Sequence, residues 1–258
     1  MQEYKVNVFT GPNGVGNPCV VCAVDKYPED NEMLSIAAEN NVSETAFLLK
    51  SGSDYHIRWF SPKEEVPICG HGAIAAAWVI FSKLGEVRAA VALKTRQSGE
   101  LKISYENDLF FIELKPRPVL EEIFNKDLVG AIGTPPSKIL RSERDILLVY
   151  DSASDIKNLR PDFEKLMKIG YGGYVPTAKG GDNIDFVYRY FSPRLPISSP
   201  EDPANGSSQA TLAPYWAGIL GKGPDEILHS AQLSVNGGDV YARNMDAQVL
   251  VGGRVIGY

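Results

Sequence analysis

Arg58-Trp59-Phe60-Ser61-Pro62 leads into Cys69-Gly70-His71-Gly72, and Arg189-Tyr190-Phe191-Ser192-Pro193 leads into Asn205-Gly206-Ser207-Ser208. A stretch rich in small residues follows each phrase and closes on Leu84-Gly85 or Leu220-Gly221. Gly70 to Gly85 and Gly206 to Gly221 both span 15 positions (85 − 70 and 221 − 206). Each copy therefore reads as a strand, a loop and a small-residue turn that opens a helix. Solenoid repeats recur every 20–50 residues or so, so a longer repeat implies two related halves. Two copies of one turn-to-helix element, related by approximate symmetry, are expected to meet across a cleft. That cleft is the expected seat of function.

Bulk properties agree with a two-part globular chain. It has 258 residues, of which 44% are hydrophobic and 22% charged, a balance that supports packed cores. The formal net charge is −6 and no lysine or arginine run forms a phosphate-binding stripe, which argues against nucleic acid as a partner. Apolar stretches fall short of the ~20 residues that span a bilayer, so no membrane partner is expected. Strand-like sequence starts at Tyr4-Lys5-Val6-Asn7-Val8-Phe9 with no signal segment ahead of it. The three cysteines, an odd number, point to a reducing compartment rather than a disulfide framework. A cytoplasmic location is the expectation. Cys19 and Cys22 have CxxC spacing but no second ligand pair, and they lie in the β-branched run Cys19-Val20-Val21-Cys22-Ala23-Val24. They read as a buried strand.

Periodicity and turn residues predict strands at 20–24, 45–49, 55–60, 91–93, 101–105 and 109–114, with helices after Asp30-Asn31 and over 72–84. Lys115-Pro116-Arg117-Pro118 is the expected boundary, because two prolines end a strand and stiffen a connection. Beyond it, strands are predicted at 146–150, 174–177, 184–191, 239–242 and 248–251, and helices at about 162–168 and 207–220. The class is α+β in two halves. The expected domains are 1–115 and 116–249, with a tail of about 250–258 crossing back to the first.

The two turns carry the chemistry. A helix start leaves amide hydrogens unpaired and carries roughly half a positive charge, so it attracts carboxylates. Glycine at Gly70, Gly72 and Gly206 would let a ligand approach that backbone. His71, at a helix start, is expected to stay neutral and act as a hydrogen-bond partner or acid. Asp202, held extended by Pro203, is a candidate for holding a substrate amine or hydroxyl, or else a turn-forming aspartate. Glu44, in Ser43-Glu44-Thr45-Ala46-Phe47, would suit a general base if pressed against apolar neighbours. By itself it reads as an exposed charge at a strand entry.

The chain resembles the phenazine-biosynthesis PhzF-like isomerases, relatives of diaminopimelate epimerase in fold. The resemblance rests on Val8-Phe9-Thr10, Gly16-Asn17-Pro18, Ser43-Glu44-Thr45-Ala46-Phe47 and the Arg58 to His71 phrase. In the second half it rests on Asp185-Phe186-Val187, Phe191-Ser192-Pro193, Glu201-Asp202-Pro203, Gly206-Ser207 and Leu212-Ala213-Pro214-Tyr215-Trp216. These phrases run nearly end to end. The resemblance implies two pseudo-symmetric diaminopimelate epimerase-like domains, each a barrel-like, mostly antiparallel sheet around a central helix. It also implies a cofactor-free site between them, a small anionic metabolite as substrate, and a homodimer. It implies Glu44 as the proton-carrying acid/base, His71, Asp202 and Ser207 as pocket residues, and the backbone at Gly70, Gly72 and Gly206 as a carboxylate cradle. Asn17 is carried over from the epimerase relatives.

Departures from the pattern lie in the expected pocket: Gly72 where alanine is common, Gln209 where histidine is common, and Ala204-Asn205 in place of a threonine- or cysteine-containing step. Epimerase relatives use one thiol from each turn. Here Cys69 stands in the first turn and Asn205 in the second, and an asparagine side chain cannot exchange the proton. The leading expectation is an isomerase in which one carboxyl moves a proton, and with it a double bond. An epimerase or racemase of an amino-acid-like substrate using Cys69 is the alternative, and a non-catalytic binding protein on the same scaffold is the third.

Overall fold

In the computed structural model, which describes residues 1–86, 89–193 and 200–258, sixteen strands and six helices follow the expected α+β pattern. The first half contains β1 (Gln2–Thr10), β2 (Asn17–Val24), α1 (Asp30–Asn40), β3 (Glu44–Ser51), β4 (Asp54–Phe60), β5 (Glu65–Val66), α2 (Gly70–Ser82), β6 (Ala90–Thr95), β7 (Glu100–Glu106) and β8 (Leu109–Leu114). The second contains β9 (Glu121–Glu122), α3 (Lys126–Ile132), β10 (Lys138–Arg141), β11 (Asp145–Val149), α4 (Ala153–Asn158), α5 (Phe163–Ile169), β12 (Gly173–Lys179), β13 (Phe186–Tyr188), α6 (Gln209–Leu220), β14 (Leu228–Gln232), β15 (Gly238–Asn244) and β16 (Val249–Gly257).

Strands β1, β2, β3, β4, β6, β7, β8 and β16 form a closed barrel, because β16 pairs with both β8 and β1. The same β16 continues into a second curved sheet through β15, β14, β13, β12, β11, β10 and β9. A closed sheet needs a filled interior, and α2 fills the first barrel. Its alanines Ala73, Ala75, Ala76 and Ala77 are wholly buried, as expected for a helix that meets strands on every side.

The two halves repeat strand by strand. β2–β3 and β4–β6 are parallel pairs in the first half, and β11–β12 and β13–β14 are the parallel pairs in the second. Thr45 pairs with Phe60 as Tyr174 bridges Phe191. Arg58 grips Glu65 with two hydrogen bonds of 2.8 Å, and Arg189 grips Glu201 with two of 2.7 Å. The duplicated phrase is thus duplicated down to its ion pairs, which fix where each following turn begins.

Helix boundaries differ from expectation for local reasons. α2 starts at Gly70, two residues early, because the Cys69 sulfur accepts the Gly72 amide hydrogen at 3.3 Å and caps the helix. α6 starts at Gln209 because Asn205 Oδ1 accepts from the Ser208 amide at 2.7 Å and holds the preceding residues in a tight turn. The predicted strand 184–191 shrinks to Phe186–Tyr188, since Asn183 at φ 63° turns the chain. Cys19 and Cys22 are free and buried in β2. No helix among the described residues is long and apolar enough to cross a membrane.

Candidate active site

Glu44 is the first residue of β3, beside Cys19 of β2. Its side chain is only 12% exposed, which corrects the reading of an exposed strand-entry charge. The strand alternation that buries Ala46 and Leu48 in the barrel core also turns residue 44 inward. Glu44 Oε2 lies 3.4 Å from His71 Nε2 and has no hydrogen-bond partner among the described residues. Burial first, and then the nearby Asp202 carboxyl, push the Glu44 acid up to about 8, with the Cys69 side chain opposing. Buried carboxyls favour the uncharged form for this reason. Burial also lowers His71 to about 4, so its imidazole is neutral at physiological pH.

Asp202 reaches the same place from the second half. Its Oδ1 accepts from Asn17 Nδ2 at 2.9 Å and from the Ala204 amide at 3.2 Å, and its Oδ2 accepts from Asn205 Nδ2 at 2.8 Å. Burial raises its affinity for a proton, against those hydrogen bonds. Asn17, wholly buried, also donates to the Ala204 carbonyl at 3.0 Å, so it ties β2 to the second turn. Glu44 and His71 thus meet at the first turn, Asp202 joins Asn17 and, through Asn205, Ser207 at the second, and the Asp202 carboxyl lies within electrostatic reach of Glu44.

The turns themselves have matching vacancies. Cys69 takes the Gly72 and Ala73 amides through its sulfur and carbonyl. In α6 the Ser208, Gln209 and Ala210 amides bond back to Asn205, Gly206 and Ser207. The Gly70–His71 and Gly206–Ser207 amide pairs have no partner among the described residues, and each pair sits at a helix start. Such paired donors suit a carboxylate oxygen. The three predicted glycines differ. A Cβ on Gly70 would meet nothing within 4 Å, whereas one on Gly72 would strike the Trp59 indole at 2.8 Å and one on Gly206 the Phe9 ring at 2.7 Å. Only Gly70 faces open space. Gly72 and Gly206 are required by packing, the latter because a bulge at Phe9 (φ 66°) drives that ring under the turn.

Donor atoms of Glu44, Cys69 and His71 lie within 4.8 Å of one another, a set whose elements also suit a soft divalent ion. The Cys69 sulfur, however, is engaged as the α2 cap and burial holds it as a thiol.

Two residues escaped sequence reasoning. Arg144 donates to Ser207 Oγ at 3.1 Å and to both oxygens of wholly buried Asp145 at 2.8 and 2.6 Å. Arg117 donates to the Ser207 carbonyl, and its own amide bonds to the Ala210 carbonyl at 2.8 Å. Pro214, inside α6, lacks the amide hydrogen that would normally occupy Ala210. The Arg117 backbone amide fills that place, and no local sequence signal marks either arginine side chain.

The chain as a whole is similar to known proteins. The family model described as phenazine biosynthesis-like protein, PhzC-PhzF, matches residues 6–254. Two proteins of Pseudomonas aeruginosa, each named an uncharacterized isomerase, are similar. One is 37% identical over 85% of this chain and 83% of its own length. The other is 34% identical over 99% and 95%. A crystal structure of a phenazine biosynthesis PhzC/PhzF protein from Clostridium difficile superposes with TM-score 0.90 at 35% identity, covering 99% of this chain and 96% of that one.

Proposed function

Because the chain belongs to the phenazine biosynthesis-like PhzC-PhzF family and is an isomerase of that kind, we propose that it shifts a proton and a double bond in a small carboxylate-bearing metabolite, with Glu44 as the one proton carrier. The observation that carries this reading is a single buried carboxyl, raised to about 8 and without a hydrogen-bond partner on Oε2, set against His71 at the start of α2. The ionised Glu44 takes a proton from a saturated carbon that adjoins the substrate's double bond and carboxylate. The freed electron pair spreads into the conjugated system, where the negative charge is stabilised by the Gly70–His71 amides and the helix start. Protonated Glu44, 12% exposed, exchanges its proton with solvent, then delivers a proton to a more distant carbon, and the double bond moves. Neutral His71 and Asp202 hold the substrate's polar groups.

The reading has a test. Incubated in deuterium oxide with a panel of unsaturated carboxylates, the protein is expected to put deuterium into the product carbon, followed by mass spectrometry. Cys69→Ala should retain this activity within a few-fold. Loss of turnover in that variant would favour the thiol-dependent epimerase, and ligand binding without any deuterium uptake would favour a silent binding protein.

The raised acid fixes a pH dependence. The first step needs ionised Glu44, so kcat/KM should rise with pH and level off above about 8. The charged or titratable groups facing it are Asp202, Cys69, His71 and Cys19, of which Asp202 is the carboxyl that raises it. Asp202→Asn should therefore move the rise to lower pH, because the two carboxyls titrate as a pair. An unmoved profile would remove Asp202 from that role.

A further inference from the structure

Superposing the repeat on itself shows what stands where Glu44 would recur. Thr45 corresponds to Tyr174 through their pairings with Phe60 and Phe191, so Glu44 corresponds to Gly173 and Cys19 to Asp145. Gly70 and His71 correspond to Gly206 and Ser207 by the repeat itself. A side chain at Gly173 is excluded: its Cβ would lie 2.5 Å from Tyr190 Oη and 2.6 Å from Asp145 Oδ1. Glu44 meets the first turn at His71, and at the matching place Arg144 meets the second turn at Ser207. By the same register Arg144 corresponds to Pro18, so the second turn meets a guanidinium from just ahead of β11 where the first turn meets an acid of β3.

That guanidinium keeps a donor edge that no described residue uses. Arg144 and Arg117 share one buried carboxylate, Asp145, at 2.6 and 3.9 Å. Asp202 lies within electrostatic reach of Arg144, and Glu143 is exposed to solvent. Arg144 keeps its Nη1 without a partner among the described residues and is 34% exposed, while Arg117 Nε is buried and unpartnered. The Nη1 edge of Arg144 thus stands free beside the Gly206–Ser207 amides, with Ser207 Oγ next to it. A carboxylate offers two coplanar oxygens to such a planar guanidinium edge, a closer match in shape than a tetrahedral phosphate.

We propose that Arg144, with Ser207 and backed by Arg117 through Asp145, is a specificity-determining site for a second carboxylate, and that the substrate is a small dicarboxylate. The inference rests on the reading of the cleft as an isomerase site. The first carboxylate lies at the α2 start beside Glu44, and the second lies at the α6 start, so the substrate spans the two halves with its reacting carbons at Glu44. Fixing the far end in this way positions the proton acceptor carbon.

Calorimetric titration with matched pairs tests it: butyrate against succinate, pentanoate against glutarate, hexanoate against adipate. At least one dicarboxylate should bind tenfold or more tightly than its monocarboxylate partner. Arg144→Gln should erase that preference while leaving monocarboxylate affinity within about twofold. Should Arg144→Gln fail to fold, Arg144→Lys, which keeps the charge opposite Asp145, and Ser207→Ala should each lower the preference several-fold. No preference in the unaltered protein, a preference that survives these substitutions, or tighter binding of 3-phosphonopropionate than of any dicarboxylate would overturn the proposal. Glu44-dependent deuterium uptake by a monocarboxylate would leave the isomerase reading standing in that event. Loss of that uptake across the whole panel would instead undo the reading on which the proposal rests.

Discussion

Glu44→Gln is expected to lower turnover by roughly 10²–10⁴-fold, the contribution a positioned acid/base makes to proton transfer. Solvent deuterium uptake into the substrate should fall with it. Glutamine keeps the shape and a polar contact to His71 but carries no proton it can exchange at neutral pH. Ligand affinity should hold within about threefold, because the cradle amides and the second turn are untouched. A split of this kind, with binding kept and proton exchange lost, is what a group acting on the reacting carbon produces. Retained exchange in the variant would transfer the role to Cys69 or Asp202, the other proton-bearing groups within electrostatic reach of Glu44.

Asp145→Ala should be the most damaging change away from the proton-transfer centre. Asp145 has no exposed side-chain surface, and it receives Arg144 through two hydrogen bonds and Tyr190 through one of 3.4 Å. Removing one partner of a buried ion pair leaves the other charge uncompensated, at a loss of about 3–5 kcal/mol. The lower end is expected here, since Arg144 is partly exposed and water relieves it. Urea unfolding measures the loss. The double variant Arg144→Gln with Asp145→Asn should be less destabilised than the sum of its parts, because it removes both charges together. A single-variant loss under 1 kcal/mol would show that the pair is solvated and that Arg144 is not held toward Ser207.

The duplicated phrase made the architecture legible before any coordinates. Its two copies place two helix starts in equivalent positions, and the ion pairs Arg58–Glu65 and Arg189–Glu201 that fix those positions lie inside the copies themselves. The short elements did not show. β14 contains His229, Ser230 and Gln232, polar residues that lack a strand's apolar alternation, and they are satisfied instead by Asp239, Gln209 and Asn205. α3 and α4 are only seven and six residues long, too brief for a helical period to stand out.

The site was legible in kind more than in detail. Glu44 carries no local mark of burial, since what buries it is the parallel partner β2 and the turn of α2, both distant in sequence. Only the family resemblance singled it out. Gly72 and Gly206 look like ligand-approach glycines in the sequence, yet Trp59 and Phe9 occupy the space above them. Arg144 sits in an unremarkable Ser142-Glu143-Arg144-Asp145 turn and acquires meaning only when the halves are superposed.

The account stands on a carboxyl that keeps its proton near neutrality because burial disfavours its charge. Carbon-13 labelling of glutamate side chains, followed by a pH titration with Glu44→Gln to assign the resonance, reads that proton directly. The Glu44 carboxyl should titrate near 8. A midpoint near the ordinary 4.5 would mean a solvated, permanently charged residue, and the single-carboxyl mechanism would be contradicted.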